Sequence, residues 1–510
     1  MNRMTLALLG SLIVMGLLLY SLASESPSRK LRQPATGTEA NDSASQPNSD
    51  AAILMYCAAS NRAVVEKIRA DYEDETGRRV EIQYGPSQSL LSSLEVSRTG
   101  DLYLPADESY LDIGRERGLV EEAIPLAEMQ VVIAVRKGEE SRIRTFDDLL
   151  SEDIRLVQAN PDAAAVGKQT KEVLEKTGQW NQLDAATVGY RTTVTDVAND
   201  LIVGAADAGI VYDAVLATYP DLTAVKLPVF DSAIAKIAVG VTSASNDSSR
   251  ALHFARYLGA RDRGQRYYDE LGFKPVNGDQ WADVPELSVF AGSMLQPAIE
   301  QTLIDFEKRE GVSISRVYNG CGILVAQMKA GQHPDAYFAC DTEFMNQVSD
   351  QFGAPLPVSR NELVILVEKG NPHGIKSLRD LTRPSLRVGI GHEKQCAMGW
   401  LTQQTLTESG IKIEVMENVT VQTPTGDMLV NQLKTGSLDA AVAYLSNAAG
   451  SGDVLTAIRI TGLECSQATQ PIAISQSTPY SHLAGRLLKE IQSTDSRERF
   501  RANGFVWQAE

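Results

Sequence analysis

Residues 53–60 read ILMYCAAS and residues 287–293 read LSVFAGS, so that an apolar run followed by a small residue and a serine is written twice. Ser60 and Ser293 lie 233 positions apart. Asp107 in LPADESYL and Asp341 in ACDTEFM lie 234 apart, while Gly167 and Gly399, Tyr212 and Tyr444, and Gly272-Phe273 and Gly504-Phe505 each lie 232 apart. Landmarks at a nearly constant offset define an internal duplication, and a repeat of this kind decides the architecture before any single element does. The copies occupy residues 51–284 and 285–510 and meet at Ala282-Asp283-Val284-Pro285-Glu286.

Within a copy, short apolar runs alternate with helix-length amphipathic segments. Ile53 to Tyr56 predicts a buried strand. Val64, Ile68 and Tyr72 then recur at a helical spacing, Gly77 stops that helix, and Val80 to Tyr84 alternates as a second strand. The same order passes through Ile299, Leu303, Phe306 and Gly311 in the second copy. Strands alternating with helices predict an α/β fold with mainly parallel sheets, which bind ligands beyond the C-terminal ends of strands, where helices begin. Crossing strands are expected near Gln130 to Val135 and Ile234 to Val241, dividing each copy into two lobes.

A chain of 510 residues exceeds a single core, which agrees with the duplication. With 43% hydrophobic and 22% charged residues the composition is that of a soluble globular protein. A net charge of −17 repels phosphate backbones, so nucleic acid is excluded as a partner. Five cysteines are too few for a disulfide scaffold, and their odd number leaves at least one unpaired within the chain. Met4 to Ala23 contains no charge and follows Arg3, which predicts a signal peptide or membrane anchor over 1–23 and a protein body outside the cytoplasm. Residues 24–50, rich in Ser, Pro, Asn and Asp, read as a disordered tether.

The strand-to-helix corners carry the candidate site. Ser60 opens a helix after the first strand, and Ser87 lies in Gly85-Pro86-Ser87-Gln88-Ser89 after the second. A serine in such a place can cap its helix or fill a turn. The same hydroxyl, with the unsatisfied N–H groups of a helix start, can equally face an anion.

In the order strand, Ala59-Ser60, helix, strand, small polar turn, helix, Asp101-Leu102-Tyr103-Leu104-Pro105-Ala106-Asp107, Gly209-Ile210-Val211-Tyr212 and Gly272-Phe273, the chain resembles the periplasmic molybdate-binding proteins of ABC importers. The resemblance covers essentially all of 52–284 and, more loosely, 286–510. It implies two tandem two-lobed modules of the type II periplasmic-binding-protein fold, an oxyanion ligand, an ABC permease as partner, and no cofactor. It also implies a binding protein rather than an enzyme. Carried over by position, the ligand contacts are the hydroxyls of Ser60 and Ser87, the backbone N–H groups of Val166 and Val194, and Tyr212, which stands eighteen residues after Val194 as the family pattern requires. None of these positions carries a carboxylate, so a ligand that retains a proton finds no acceptor. Fully ionised molybdate, tungstate or sulfate fits this donor set, and the resemblance selects the first two.

The second copy departs from the pattern. Its corresponding residues are Ser293, Cys321, Met398, Gly426 and Tyr444, with Cys340 and Cys396 at two further corners. Three readings stay open: buried or disulfide-linked thiols, a modified anion site, or a site in which Cys321, Cys340 and Cys396 bind a soft metal ion such as Cu(I). Cys321 as an enzymatic nucleophile would need a base, for which Asp341, Asp427 and His392 are the candidates. A membrane-tethered sensor is a further class that duplication and tether allow.

Overall fold

The computed structural model describes residues 51–509, so the signal or anchor expected over 1–23 and the tether over 24–50 lie outside the described residues. Among the described residues no helix is long and apolar enough to cross a membrane.

The first module contains β1 (Ile53–Ala58), β2 (Val80–Gly85), β3 (Leu102–Leu104), β4 (Val120–Arg136), β5 (Leu156–Ala159), β6 (Thr187–Arg191), β7 (Ala208–Tyr212), β8 (Leu222–Val225), β9 (Ile234–Thr242) and β10 (Lys274–Pro275). The second repeats them as β11 (Glu286–Gly292), β12 (Ser313–Asn319), β13 (Ala336–Phe338), β14 (Leu356–Glu368), β15 (Val388–Gly391), β16 (Val419–Thr423), β17 (Ala440–Tyr444), β18 (Leu455–Arg459), β19 (Gln467–Ile474) and β20 (Val506–Trp507). Strand order is β2-β1-β3-β9-β4-β7-β5-β6 in the first and β12-β11-β13-β19-β14-β17-β15-β16 in the second. The two orders are the same once each strand is matched to its repeat.

Strands β1, β2 and β3 pair in parallel, as do β5, β6 and β7. Helices cover such sheets on both faces, which explains why β1 is a continuous apolar run rather than an alternating one. Between the two parallel sets lies β4, which belongs to both. Its first part pairs antiparallel with β9 as far as Gln130↔Ile234, and from Val131 onward its partners are β7 and β8. The lobes therefore change over at Gln130-Val131, within the crossing region that the sequence marks. β14 does the same in the second module, pairing with β19 up to Glu362 and with β17 from Leu363.

Each module has its own core: one buried apolar cluster runs from Ile53 to Phe273 and another from Leu287 to Phe505. Besides hydrogen bonds from His482 and Leu483 to Asp279, a buried ionic cluster links the modules. Glu310, at the end of the helix Gln296–Glu310, is fully buried and receives two hydrogen bonds from Arg486, at 2.8 and 2.9 Å. Arg256 of the first module donates to the Glu310 carbonyl and lies 3.7 Å from its carboxylate. Burial alone would raise the Glu310 pKa, but Arg486, Arg256 and Arg309 more than offset it and hold the carboxyl below its ordinary value. Two arginines thus depend on one carboxylate from which water is excluded. Glu310→Gln leaves those cations uncompensated, and we expect a stability loss of about 3–5 kcal/mol in urea unfolding; a loss below about 1 kcal/mol would mean that the cluster does not tie the modules.

Candidate functional site

Three corners of the first lobe converge at the C-terminal ends of β1, β2 and β3. After β1 the chain makes a tight turn at Ala59–Asn61 before the helix Arg62–Thr76, and this turn buries Ser60. After β2, Pro86 leads into the helix Ser87–Ser97, whose first residue is 1% exposed. After β3 comes Ala106, whose N–H donates to Ser87 Oγ at 3.1 Å. The Tyr103 hydroxyl in turn donates to the Ser87 carbonyl at 2.8 Å, so both the backbone and the side chain of Ser87 are held in place.

The second lobe brings two helix starts to the same point. The helix Ala165–Lys176 begins with Ala165, Val166 and Gly167, all buried. The first N–H groups of a helix have no partner within it, and the N–H dipoles there favour negative charge. The helix Val194–Ile202 is preceded by Thr193 in a capping box with Asp196, which occupies the N–H groups of Thr193 and Asp196 and does not use that of Val194. Tyr212 closes β7 with its ring buried, and its hydroxyl donates to Gln169 Oε1 at 3.3 Å. Burial, and after it the Asp107 charge, raises the Tyr212 pKa well above the phenol range, so the group remains a donor.

Ser60, Ser87, Val166, Val194 and Tyr212 all line one small hollow between the lobes. The rest of its wall is formed by Ala, Gly and Pro residues and by Thr193, with no charged side chain. Ser60 Oγ is buried against this hollow without any hydrogen-bond partner. A buried hydroxyl left unpaired is costly, and burial of polar groups is ordinarily compensated. Thr193 is the wall residue that the sequence reading passed over; the signal for it was the Thr-x-x-Asp capping pattern at 193–196.

In the second module the same positions carry different chemistry. Strand register sets the correspondence: Ala58 is opposite Gly85 and Gly292 is opposite Asn319, so this lobe repeats at an offset of 234. Ser293 is therefore the counterpart of Ala59, and the buried Met294 takes the place of Ser60. This corrects the expected match of Ser293 with Ser60. Matching serine to serine misplaced the corner by one residue, whereas Gly77 and Gly311, which end the following helices, already lay 234 apart.

Cys321 stands at the Ser87 position, first in the helix Cys321–Lys329, and Cys340 at that of Ala106. Cys396 precedes the helix Ala397–Glu408 where Ala164 precedes Ala165–Lys176, and Met398 replaces Val166. Gly426 begins the helix Gly426–Lys434 in place of Val194. A Cβ there would lie 2.3 Å from Asn447 Oδ1, because the Asn447 amide fills the space beside it. Tyr444 keeps the place of Tyr212, but its buried hydroxyl has no partner.

No three His, Cys, Asp or Glu side chains among the described residues are grouped so as to hold a metal ion. The structure thus brings Cys321 and Cys340 together but does not complete the expected metal set with Cys396. Nor is any of the expected bases hydrogen-bonded to a cysteine sulfur among the described residues. Asp341, raised to about 6 by burial, caps the helix Thr342–Asn346; Asp427 receives Asn447; His392 Nδ1 accepts the Lys394 N–H.

The model of the family described as bacterial extracellular solute-binding protein matches residues 53–274 and again 287–506. The chain belongs to that family, in two tandem copies. Among similar members, a molybdate-binding protein ModA of Mycobacterium tuberculosis is 28% identical over 223 residues, covering 43% of this chain and 83% of the relative. A binding protein of Haemophilus influenzae is 27% identical over 224 residues, covering 44% of this chain and 91% of the relative. The solved periplasmic molybdate-binding protein of Azotobacter vinelandii is 16% identical with a TM-score of 0.39, covering 43% of this chain and 98% of that one. These relatives are binding proteins, and the family places this one outside the cytoplasm.

Both solute-binding modules depend on a close helix approach at the second lobe. A Cβ on Gly167 would lie 2.3 Å from the Ala159 carbonyl oxygen, and one on Gly399 would lie 2.5 Å from Gly391 backbone atoms. Gly167→Ala should push the Val166 helix off the end of β5 at a cost of about 1–3 kcal/mol, read as a lowered midpoint in thermal unfolding. An unchanged midpoint would show that the helix is not seated there.

Proposed function

We propose that the first module captures molybdate or tungstate in the hollow between its lobes and delivers it to an ABC permease. The observation that carries this reading is the unpaired Ser60 Oγ, buried in a wall without any charged side chain. A tetrahedral dianion supplies what the hydroxyl lacks, and it meets Ser87, the N–H groups of Val166 and Val194, Thr193 and Tyr212 at the same point. Charge-assisted hydrogen bonds contribute about 1.5–3 kcal/mol each, so a handful of dipoles holds the ion without any lysine or arginine. A protonated anion would point its O–H at a donor, which disfavours hydrogen phosphate. The similarity to molybdate-binding proteins of Mycobacterium tuberculosis and Escherichia coli supports the choice of ion.

Ser60 and Ser87 stand on one lobe, and Val166, Val194 and Tyr212 on the other, so the ion is fully bound only when the lobes are shut. The Gln88 N–H already donates across the cleft to the Ala163 carbonyl at 3.1 Å, a contact that closure makes and opening breaks. Ligand binding then shifts the population toward the shut form that a permease reads. The second module gives up this ligand: Met294 and Cys321 replace both serine hydroxyls.

Calorimetric titration of the full chain with molybdate, tungstate and sulfate tests the assignment. One ion should bind per chain. Ser60→Ala should leave the empty protein at least as stable, because it removes a buried hydroxyl that has no partner, yet weaken binding by about tenfold or more. Adding Ser87→Ala should remove detectable binding. Unaltered affinity in the double variant would overturn the site, and two ions per chain would overturn the silence of the second module.

A further inference from the structure

In the second module, Cys321 follows β12 and Cys340 follows β13, and these strands flank β11 on either side. Their Sγ atoms lie 2.7 Å apart, and the Cys340 N–H donates to Cys321 Sγ at 3.1 Å. The first module keeps the backbone half of this arrangement, with the Ala106 N–H on Ser87 Oγ, but has no second sulfur. Between the two thiols, at the end of β11, stands Gly292. A Cβ at this position would lie 1.9 Å from Cys340 Sγ and 3.0 Å from Cys321 Sγ, and the first module has Ala58 there. Three differences between the copies, Ala58 to Gly292, Ser87 to Cys321 and Ala106 to Cys340, therefore act as a unit: two introduce sulfur and the third clears room for it.

We propose that Cys321 and Cys340 are the two halves of a disulfide that forms by exchange with a disulfide oxidant, leaving Cys396 as the one free thiol at the mouth of the second module. The reaction balances without any further partner. One cysteine thiolate attacks a sulfur of the oxidant, forming a mixed disulfide and releasing the first oxidant thiolate. The second cysteine then attacks the protein sulfur of that mixed disulfide, forming Cys321–Cys340 and releasing the other oxidant thiolate. The two protein protons pass to the two released thiolates. The hydrogen bond from Cys321, with burial, raises the Cys340 thiol well above the ordinary thiol range. Exchange is accordingly slow in the shut module and faster while the chain folds or the cleft opens. An extracytoplasmic location, as the family implies, supplies oxidising conditions. The cross-link would join the ends of two strands on one lobe, bracing the corner that in the first module presents Ser87.

The test uses the purified full chain, refolded with oxidised and reduced glutathione, then denatured and alkylated without reductant. Two of the five cysteines should resist alkylation, and peptide mapping should find residues 321 and 340 in one cross-linked fragment. Alkylation of all five, or a cross-link from either residue to Cys396, would overturn the proposal. Gly292→Ala, which crowds the sulfur pair, should lower the cross-linked fraction several-fold, while a cross-link made by chance in the unfolded chain would not respond to it. Molybdate titration of the same sample separates this result from the anion reading, since the first module lacks these residues.

Discussion

Strand β4 carries two lobes on one backbone, and the placement of the site follows from that. Because its first part pairs with β9 and its second with β7 and β8, the C-terminal ends of β1, β2 and β3 face those of β5 and β7 across a narrow gap. Parallel strands leave their following helices starting at that edge. Four chain corners with free N–H groups thus arrive at one point without any charged side chain being needed there. β14 imposes the same geometry on the second module, which is why equivalent residues can be named position by position even where their chemistry has changed.

The two modules show how one scaffold separates shape from chemistry. Gly167 and Gly399 preserve the close approach of helix to strand, and Tyr212 and Tyr444 both remain buried at the strand end. In the hollow's wall, hydroxyl, valine and alanine positions become Met294, Cys321, Cys340, Cys396 and Met398. A wall of neutral oxygen and nitrogen donors suits an oxyanion, whereas thiols and thioethers donate weakly and leave such an ion poorly satisfied. The same change that removes the two serine hydroxyls brings in the sulfur pair.

The modules fold around separate cores, and one link between them is a buried ionic cluster. Glu310 serves Arg486 and Arg256 together, so this junction is specific rather than adhesive: either partner alone would be an unpaired charge without water.

Much of this was legible in the sequence. The duplication and the alternation of strand and helix follow from periodicity and spacing, because strand burial and helix starts are local properties of the chain, while the family resemblance supplied the five residues Ser60, Ser87, Val166, Val194 and Tyr212 that share one hollow. Register and pairing between distant segments were not local and only the tertiary structure decided them. Opposing strands show that Met294, not Ser293, stands where Ser60 does, since a one-residue shift changes nothing in the composition of a corner but everything in what it faces. Which two of three cysteines meet was likewise undetermined by spacing: Cys321 and Cys340 touch because β12 and β13 flank β11, and Gly292 leaves them the room.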